Sequence, residues 1–394
     1  MEPKIAKNDV EIIRFNEQYE KVKSRFYFFL ASPPVTGGDL VYLQHIRLLR
    51  EVGVDARIMY LPNESFGAIL QDFPDDIPIN MLNENLKLTP IDLVIVGESQ
   101  GPFYRDMRHW MDDFYSDRPK FIVFNQAVHW TAYSFKSAQD FNQFRFAGLF
   151  CASQYIMQYM QDTLKMDLDT VFKVKKVIAP ATIIPETILA LPDSSARMQQ
   201  KRKPKCKVSF IYNNRKRPRE TGSLPFLFLS MYPEYADKVE FVKIHNSKHY
   251  DTLKTMRESD IFIVSGFMDS HNLPAVEAMV CGCHVLGYTG LTMEMPYFND
   301  TNGWWFKEEG QLRKHVHLLK QAIDLYYATE PEQVALRLSL LENGKRTASE
   351  LFSANSPNTQ VVEAYREVWE TVVQPDYDLD AVFAWHETGR FQSA

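Results

Sequence analysis

Residues 260–294 contain the sequence feature that most restricts how this chain can fold. They read as an apolar strand, a polar loop, a short helix, a second apolar strand and a glycine-containing loop that ends on Glu294. Pro274 suits the first turn of the helix, where the missing N–H would be unpaired in any residue. The apolar residues of the helix would dock it on a sheet. This pattern predicts a fold in which strands and helices alternate.

The same alternation extends over most of the chain. Since 394 residues exceed one ordinary hydrophobic core, we expect two domains. Predicted strands cover residues 25–31, 55–61, 91–97, 120–125, 148–152 and 177–179 in the first half, and residues 207–212, 239–244, 260–264 and 284–288 in the second. Between these strands, and also in residues 1–24, apolar residues recur at the spacing of a helix. Both halves are therefore predicted to be doubly wound α/β domains.

A polar stretch of the sequence indicates the boundary between the two predicted domains. Residues 1–190 form the predicted N-terminal domain, and residues 207–373 form the C-terminal one. The stretch between them, residues 191–206, is polar and ends in a basic run, which favours an interdomain linker. We interpret the basic run as solvated; peripheral contact with acidic lipids of a membrane is the alternative.

Charge and cysteine usage exclude several classes of protein. The net charge of −6 and a pI near 6.0 argue against broad nucleic-acid binding. The four cysteines form no C-x-x-C pair, so neither a zinc site nor a disulfide framework is expected. No apolar run reaches transmembrane length, and the first residues lack a signal-peptide core. These features predict a cytoplasmic protein.

Glu277 lies near the predicted start of the short helix in residues 260–294. The unpaired N–H groups of a helix N-terminus attract phosphate, and a carboxylate beside them can accept hydrogen bonds from sugar hydroxyls. A site that holds a phosphate and a sugar together indicates an enzyme that acts on nucleotide sugars. The alternative is that Glu277 only complements the helix dipole.

The segment resembles the donor site of retaining glycosyltransferases of the GT-B fold, family 4, also called glycosyl transferases group 1. Their motif has two glutamates separated by seven residues. The elements of this chain that match it are Leu273-Pro274, Glu277-Ala278-Met279 and Cys281-Gly282. Three positions depart from the motif: Asp269 replaces the first glutamate, His284 replaces a proline, and Leu291 replaces a glycine.

The resemblance implies a fold and an activity. Two Rossmann-like domains would face a cleft, and the last helix would cross back so that residues 374–394 pack on the N-terminal domain. A sugar would pass, with retention of configuration, from a nucleotide-diphosphate donor on the C-terminal domain to a hydroxyl acceptor held mainly by the N-terminal domain. Because no convincing Asp-x-Asp signature occurs, we expect transfer without a metal ion, and without any cofactor beyond the donor substrate.

The resemblance also assigns roles around the nucleotide. Glu277 would bind the two ribose hydroxyls, and Asp269 would contact hydroxyls of the donor sugar, although an ordinary loop aspartate is the alternative. The backbone N–H groups of Phe267 and Met268 would assist Asp269. The next loop would cradle the phosphates through its backbone and close on a carboxylate. Its residues are Gly290, Leu291, Thr292 and Glu294.

A basic run follows the first strand of the predicted C-terminal domain. By resemblance, Arg215 and Lys216 would neutralise the leaving diphosphate, since arginine supplies a planar fork of donors and lysine a point charge. The location fits, because ligands bind at the carboxyl ends of parallel strands. Arg217 and Arg219 are alternatives for this role, and a solvated turn is the alternative for the whole run.

Three features follow strands of the predicted N-terminal domain. Gly37 and Gly38 open a helix, and the resembled family places such a loop against the transferred sugar and phosphate; an ordinary turn is the alternative. His129 lies where the family often has a histidine near the donor sugar, and a packed or surface histidine is the alternative. Glu98 is a further carboxylate. We do not assign it as a base, because the resemblance implies front-face attack in which the leaving phosphate accepts the proton.

Two other functions compete with glycosyl transfer. A nucleotide-sugar epimerase of the same fold would turn over the donor with no acceptor. A non-catalytic nucleotide- or carbohydrate-binding protein would account for the three departures from the motif. Such proteins usually lose the phosphate cations or the ribose acid, and this chain has both. The sequence leaves open the donor base and sugar, the oligomeric state, and whether the acceptor is a glycan, a lipid or another molecule.

Overall fold

The structure, a computed structural model, divides the chain into two compact units, Met1–Pro180 with Pro357–Ala394, and Ala181–Ser356. The residues it describes are 24–30, 37–60, 77–81, 86, 88–100, 119–135, 137–178, 184–198, 205–212, 218–265, 272–288, 298–306, 311–352 and 357–373. The helix predicted over residues 1–24 lies outside them except for Ser24, and so does the tail 374–394.

The first unit is built on a parallel sheet. Within the described ranges its strands are β1 Phe26–Leu30, β2 Ala56–Tyr60, β3 Ile79–Met81, β4 Leu93–Gly97, β5 Lys120–Asn125, β6 Gly148–Cys151 and β7 Val174–Val177. Their order is β3-β2-β1-β4-β5-β6-β7, and all neighbours are parallel. Every residue of β1 and β4 is buried, as expected of central parallel strands. The strand order reverses between β1 and β4, which creates a topological switch point at their carboxyl ends.

Helices connect these strands. They are α1 Gly37–Glu51, α2 Val128–Ser134, α3 Ala138–Asn142, α4 Gln154–Thr163 and α5 Leu168–Val171. Serine hydroxyls cap two of them: Ser137 accepts the N–H of Asp140 at 3.1 Å, and Ser153 accepts the N–H of Ile156 at 3.3 Å. Such caps satisfy N–H groups that have no partner within the helix. The capping serines therefore fix where α3 and α4 start.

The second unit contains another parallel sheet. In the part of the chain that the structure describes, its strands are β8 Cys206–Ile211, β9 Val239–Ile244, β10 Ile261–Ser265, β11 His284–Tyr288 and β12 Trp304–Phe306, in the order β12-β11-β10-β8-β9. Its helices are α6 Glu186–Leu189, α7 Ser194–Met198, α8 Pro218–Met231, α9 His249–Arg257, α10 Leu273–Val280, α11 Leu312–Tyr327 and α12 Pro331–Phe352.

Both faces of the second sheet are covered. Phe262 and Val264 of β10 join one buried apolar cluster, which also contains residues of α9 and α10. Ile261 and Ile263, which point the opposite way along the same strand, join a second cluster with residues of α8 and α11. Helices on both faces of a parallel sheet make a doubly wound domain. The predicted α/β fold class is therefore confirmed.

Residues 191–198 belong to the second unit, whereas the sequence analysis placed them in a linker. The buried carboxylate of Asp260 accepts hydrogen bonds from the Ser194 hydroxyl at 2.9 Å and from the Arg197 guanidinium at 3.0 Å. It also accepts the backbone N–H of Lys207 at 3.0 Å. These contacts fasten α7 to the start of β8 and β10. The polar composition of this stretch is typical of a linker. Its buried partner, Asp260, lies more than 60 residues away, so the local sequence does not reveal the contact.

The last described helix, α13 Pro357–Val368, packs in the first unit and continues as a π-helical turn, Trp369–Val373. The Tyr365 ring is buried with its centroid 5.6 Å from that of Phe28 and 5.0 Å from that of Phe150. Its hydroxyl lies 3.2 Å from Nδ1 of His45. The sequence predicts this segment as part of the C-terminal domain. The aromatic face of α13 instead completes the core beside β1 and β6.

Three strands differ from the sequence predictions by more than a shift of one or two residues at an end. The strand predicted at residues 177–179 is β7, Val174–Val177. Two short edge strands, β3 and β12, were not predicted. Among the described residues, no helix combines the length and apolarity needed to cross a bilayer. All four cysteines are buried and unpaired.

Candidate active site

Helix α10 is fixed at both of its ends. Pro274 lies in its first turn. At the other end Gly282 adopts a φ of +84°, a left-handed conformation that glycine accepts without strain. The N–H of Gly282 donates to the carbonyl of Met279 at 2.9 Å, and the N–H of Cys283 donates to the carbonyl of Ala278 at 2.9 Å. This pair of bonds is a Schellman motif, which gives the Cys-Gly element of the sequence motif its structural role.

Glu277 lies on this helix, and its carboxylate is held by a residue of another helix. The side chain of Glu277 is buried, with 10% exposed. Its Oε1 lies 2.8 Å from Nε2 of His249, which is the first residue of α9. Helix α9 follows β9 and α10 follows β10, so both helices start at the carboxyl edge of the second sheet. The structure thus places an oriented carboxylate where ligands of parallel sheets bind.

Electrostatics couples the two side chains. Burial lowers the pKa of His249, but the hydrogen bond to Glu277 and the charge of that carboxylate raise it. The net effect is a pKa above the ordinary value of 6.5. The imidazole therefore acquires a proton more readily than a solvated histidine does, and a protonated ring strengthens the bond to the carboxylate.

In the first unit, Gly37 and Gly38 are the first two residues of α1, as predicted for a helix-opening loop. The carbonyl of Gly38 accepts a hydrogen bond from Nε2 of Gln126 at 3.3 Å. A Cβ at Gly38 would lie 3.1 Å from Oε1 of the same glutamine, whereas a Cβ at Gly37 would meet no described atom within 4 Å. Gly37 is exposed, and no described atom packs against the position that a side chain would take there.

Glu98 connects the ends of two neighbouring strands. It follows β4 and is buried, and its Oε1 accepts the backbone N–H of Ala127 at 2.8 Å. Ala127 is the N-cap of α2, and its own side chain makes no capping bond. Glu98 thus supplies to α2 what the glutamate of a capping box supplies within a single helix. His129 is the second residue of α2, so Glu98 holds the helix start that carries the predicted catalytic histidine.

Burial also changes the acidity of Glu98. Removal of the carboxyl group from water raises its pKa from 4.5 to about 7, although backbone N–H donors, including those of Gln126 and Ala127, lower it. Near neutral pH this carboxyl group is therefore divided between its protonated and ionised forms.

Solved structures of similar shape are glycosyltransferases. Sucrose-phosphate synthase from Thermosynechococcus elongatus is 13% identical, with a TM-score of 0.59 over 88% of this chain and 99% of that one. S. aureus TarM is 7% identical, with a TM-score of 0.62 over 88% and 99%. Anabaena HepE, solved with UDP and glucose, is 14% identical, with a TM-score of 0.59 over 87% and 99%. At these identities the likeness shows the fold, which is GT-B.

Comparison with curated proteins decides the family. An alpha-1,6-glucosyltransferase of Actinobacillus pleuropneumoniae serotype 7 (strain AP76) is 30% identical over 356 residues, which are 90% of this chain and 96% of that protein. This chain is a GT-B glycosyltransferase of group 1. No family model matches it. The predictions of fold class, family and enzyme class are therefore confirmed.

Most predicted donor residues of the glycosyltransferase lie outside the described residues. Those of the C-terminal unit are Asp269, Arg215, Lys216, Phe267, Met268, Gly290, Leu291, Thr292 and Glu294. For His129 the structure describes the backbone in α2 but not the side chain. The described members are Gly37 and Gly38 in the first unit and Glu277 in the second. The roles given to all of these residues stay predictions.

His284, which departs from the motif, has a place in the core of the glycosyltransferase. It begins β11 and is buried, and its ring centroid lies 4.6 Å from that of Trp304. Burial lowers the pKa of His284 to about 4, so the ring is neutral at physiological pH. The histidine acts here as a packing residue at the amino end of its strand, which is the edge opposite the ligand-binding one.

His249 is not among the site residues that the sequence predicts. The residue lies in a polar stretch that follows a predicted strand, at the edge where ligands bind, and that position was the available signal. Its partner Glu277 is 28 residues away, and only the packing of α9 beside α10 brings the two together. Within the described ranges, no three His, Cys, Asp or Glu side chains converge as metal ligands do.

Proposed function

We propose that this glycosyltransferase transfers glucose from UDP-glucose to the 6-hydroxyl of a sugar acceptor, with retention of configuration and with no metal ion or other cofactor. The observation that carries the proposal is the buried carboxylate of Glu277, which His249 orients at the carboxyl edge of the second sheet. Its place in the motif is that of the acid that binds ribose hydroxyls. The proposal gives Glu277 that task.

The donor is inferred from similar proteins. Anabaena HepE was solved with UDP-glucose, and the pneumococcal O-GlcNAc transferase GtfA with UDP and GlcNAc. The relative with 30% identity is named for the transfer of glucose. Together these names support uridine as the base and glucose as the sugar. They also support a carbohydrate acceptor, because a 1,6 linkage joins the transferred sugar to another sugar.

Retention follows from the chemistry of the linkage. UDP-glucose carries its glucose in the α configuration, and the relative is named for an α linkage. An α product from an α donor has the configuration of the donor. In this reaction the acceptor O6 forms a bond to C1 of glucose, the bond between C1 and the phosphate oxygen breaks, and the acceptor proton passes to the leaving UDP.

Charge develops on the UDP oxygens as that bond breaks. The proposal assigns its stabilisation to Arg215 and Lys216, and to the backbone N–H groups of Gly290, Leu291 and Thr292. Preorganised donors of this kind stabilise an anion with little reorganisation during the reaction. The four unpaired, buried cysteines accord with a reducing cytosol, where we propose that the enzyme acts.

Nucleotide binding tests the proposal. Isothermal titration with UDP, GDP, ADP and their glucose conjugates should show preferential binding of UDP and UDP-glucose. Because hydrogen bonds to a charged group contribute about 1.5–3 kcal/mol, Glu277→Ala should weaken UDP binding by about 10- to 100-fold. The matched control is Glu342→Ala, which removes an exposed glutamate of the same unit and should bind UDP like the wild type. Equal affinity of wild type and Glu277→Ala for UDP would contradict the proposal.

A further inference from the structure

His249 occupies an unusual position for a residue with a purely structural role. Its side chain is 36% exposed, yet its Nε2 is bound to the buried Oε1 of Glu277 at 2.8 Å. It is the first residue of α9, immediately after the N-cap Lys248. The imidazole therefore reaches from the solvent boundary to the carboxylate at the edge of the second sheet.

The bond determines how the carboxylate is presented. A carboxylate offers about four acceptor positions on two oxygens, and a hydrogen bond to one oxygen fixes the rotation of the group. With Oε1 engaged by His249, Glu277 retains acceptor capacity on its remaining lone pairs. Two adjacent hydroxyls, such as those at C2 and C3 of ribose, suit an acceptor group of this kind.

The energetics also favours a ligand-binding role for the pair. Burying a carboxylate costs free energy that one half-exposed partner offsets only in part, and an apolar residue of similar size is often at least as stable in such a place. The neighbours of Glu277 along α10, Val276 and Ala278, are buried apolar residues of the core. Glu277 is the one charged residue of α10, whose other residues are all apolar.

We propose that His249 is a positioning residue for the nucleotide, and that it holds Glu277 in the orientation in which the carboxylate accepts the ribose hydroxyls. This inference rests on the proposed function. It adds to that function a residue on a different helix, and it makes the geometry between α9 and α10 a determinant of donor affinity.

The test compares two ligands that differ only in the ribose hydroxyls. UDP and 2′,3′-dideoxyuridine diphosphate are titrated into the wild type and into His249→Ala, His249→Gln and Glu277→Ala. If His249 acts through Glu277, His249→Ala weakens UDP binding by about tenfold and changes binding of the dideoxy ligand much less, as coupling in a double-mutant cycle requires. His249→Gln, whose amide keeps an N–H donor, recovers part of the loss. The matched control is His317→Ala, at an exposed histidine of the same unit, and it leaves both affinities unchanged.

The outcomes separate this inference from the function on which it rests. If Glu277→Ala binds UDP like the wild type, the proposed nucleotide site is wrong. If Glu277→Ala weakens UDP binding and His249→Ala does not, the site stands and the role of His249 is refuted. An equal loss for both ligands in His249→Ala also refutes it, because the histidine would then act elsewhere than on the ribose.

Discussion

Replacing Glu98 by glutamine should reduce the loss of stability that the first unit undergoes as the pH rises. Glu98 is buried, and its pKa is raised from 4.5 to about 7 by that burial. Between these two pH values the folded state keeps the proton, whereas the unfolded chain has released it. The free energy of unfolding of the wild type therefore falls as pH rises through this window and levels off above pH 7. The side chain introduced by Glu98→Gln has no proton to lose, and its carbonyl oxygen can still accept the N–H of Ala127.

The magnitude follows from the two pKa values. Each pKa unit corresponds to about 1.36 kcal/mol, so ionised Glu98 costs the folded state on the order of 3 kcal/mol at high pH. Between pH 5 and pH 8 the stability of Glu98→Gln relative to the wild type should rise by about 2.5 kcal/mol. For a unit of this size, the melting temperature of Glu98→Gln relative to that of the wild type should therefore rise by about 5–10 °C between pH 5 and pH 8.

Denaturant unfolding at several pH values between 5 and 8 measures this difference directly. Comparing the two proteins at each pH cancels the titration of every group they share. The control is Glu51→Gln, which replaces an exposed glutamate of the same unit and should not reproduce the change seen with Glu98→Gln. If Glu98→Gln and the wild type lose stability in parallel from pH 5 to pH 8, the argument that burial makes Glu98 costly to ionise is refuted.

Two further substitutions test packing in the second unit. Gly287→Ala should destabilise this unit by about 3 kcal/mol or more, because the added Cβ would lie 2.1 Å from the carbonyl oxygen of Val264. The control is Gly344→Ala, whose added Cβ makes only ordinary contacts. Equal melting temperatures of the two variants in calorimetry would contradict the prediction. Asp260→Ala should cost about 3–5 kcal/mol, because it removes the carboxylate that pairs with the Arg197 guanidinium and that accepts the Ser194 hydroxyl and the N–H of Lys207. It should also expose residues 191–198 to limited proteolysis, and unchanged protease resistance would show that Asp260 does not fasten α7.

Several strands of both sheets could be predicted from the sequence because apolar residues dominate each of them. The predicted strands at residues 120–125, 239–244 and 284–288 agree with β5, β9 and β11 at both ends. The short edge strands β3 and β12 were missed, since three residues give no detectable period. In β7 the adjacent residues Lys175 and Lys176 interrupt the apolar run, so the strand was predicted three residues too far toward the C-terminus at its start.

Long-range packing set the limit for the rest. The placement of α13 depends on Tyr365, whose partners Phe28 and Phe150 lie far away in the sequence. For the same reason the pair of His249 and Glu277 could not be derived from local patterns. The sequence motif identified Glu277 because residues close to it have recognisable local roles. Pro274 lies in the first turn of α10, and Gly282 forms the Schellman motif that ends the helix. No such local task marks His249.

The configuration of the product tests the central claim most directly. The enzyme is incubated with UDP-glucose, a glucose-containing acceptor and EDTA, and the new linkage is read from the anomeric signals in the NMR spectrum. We expect an α-1,6-linked glucose, formed at the same rate with and without EDTA, and a much slower reaction in Glu277→Ala. A β linkage, or activity that disappears with EDTA, would contradict it.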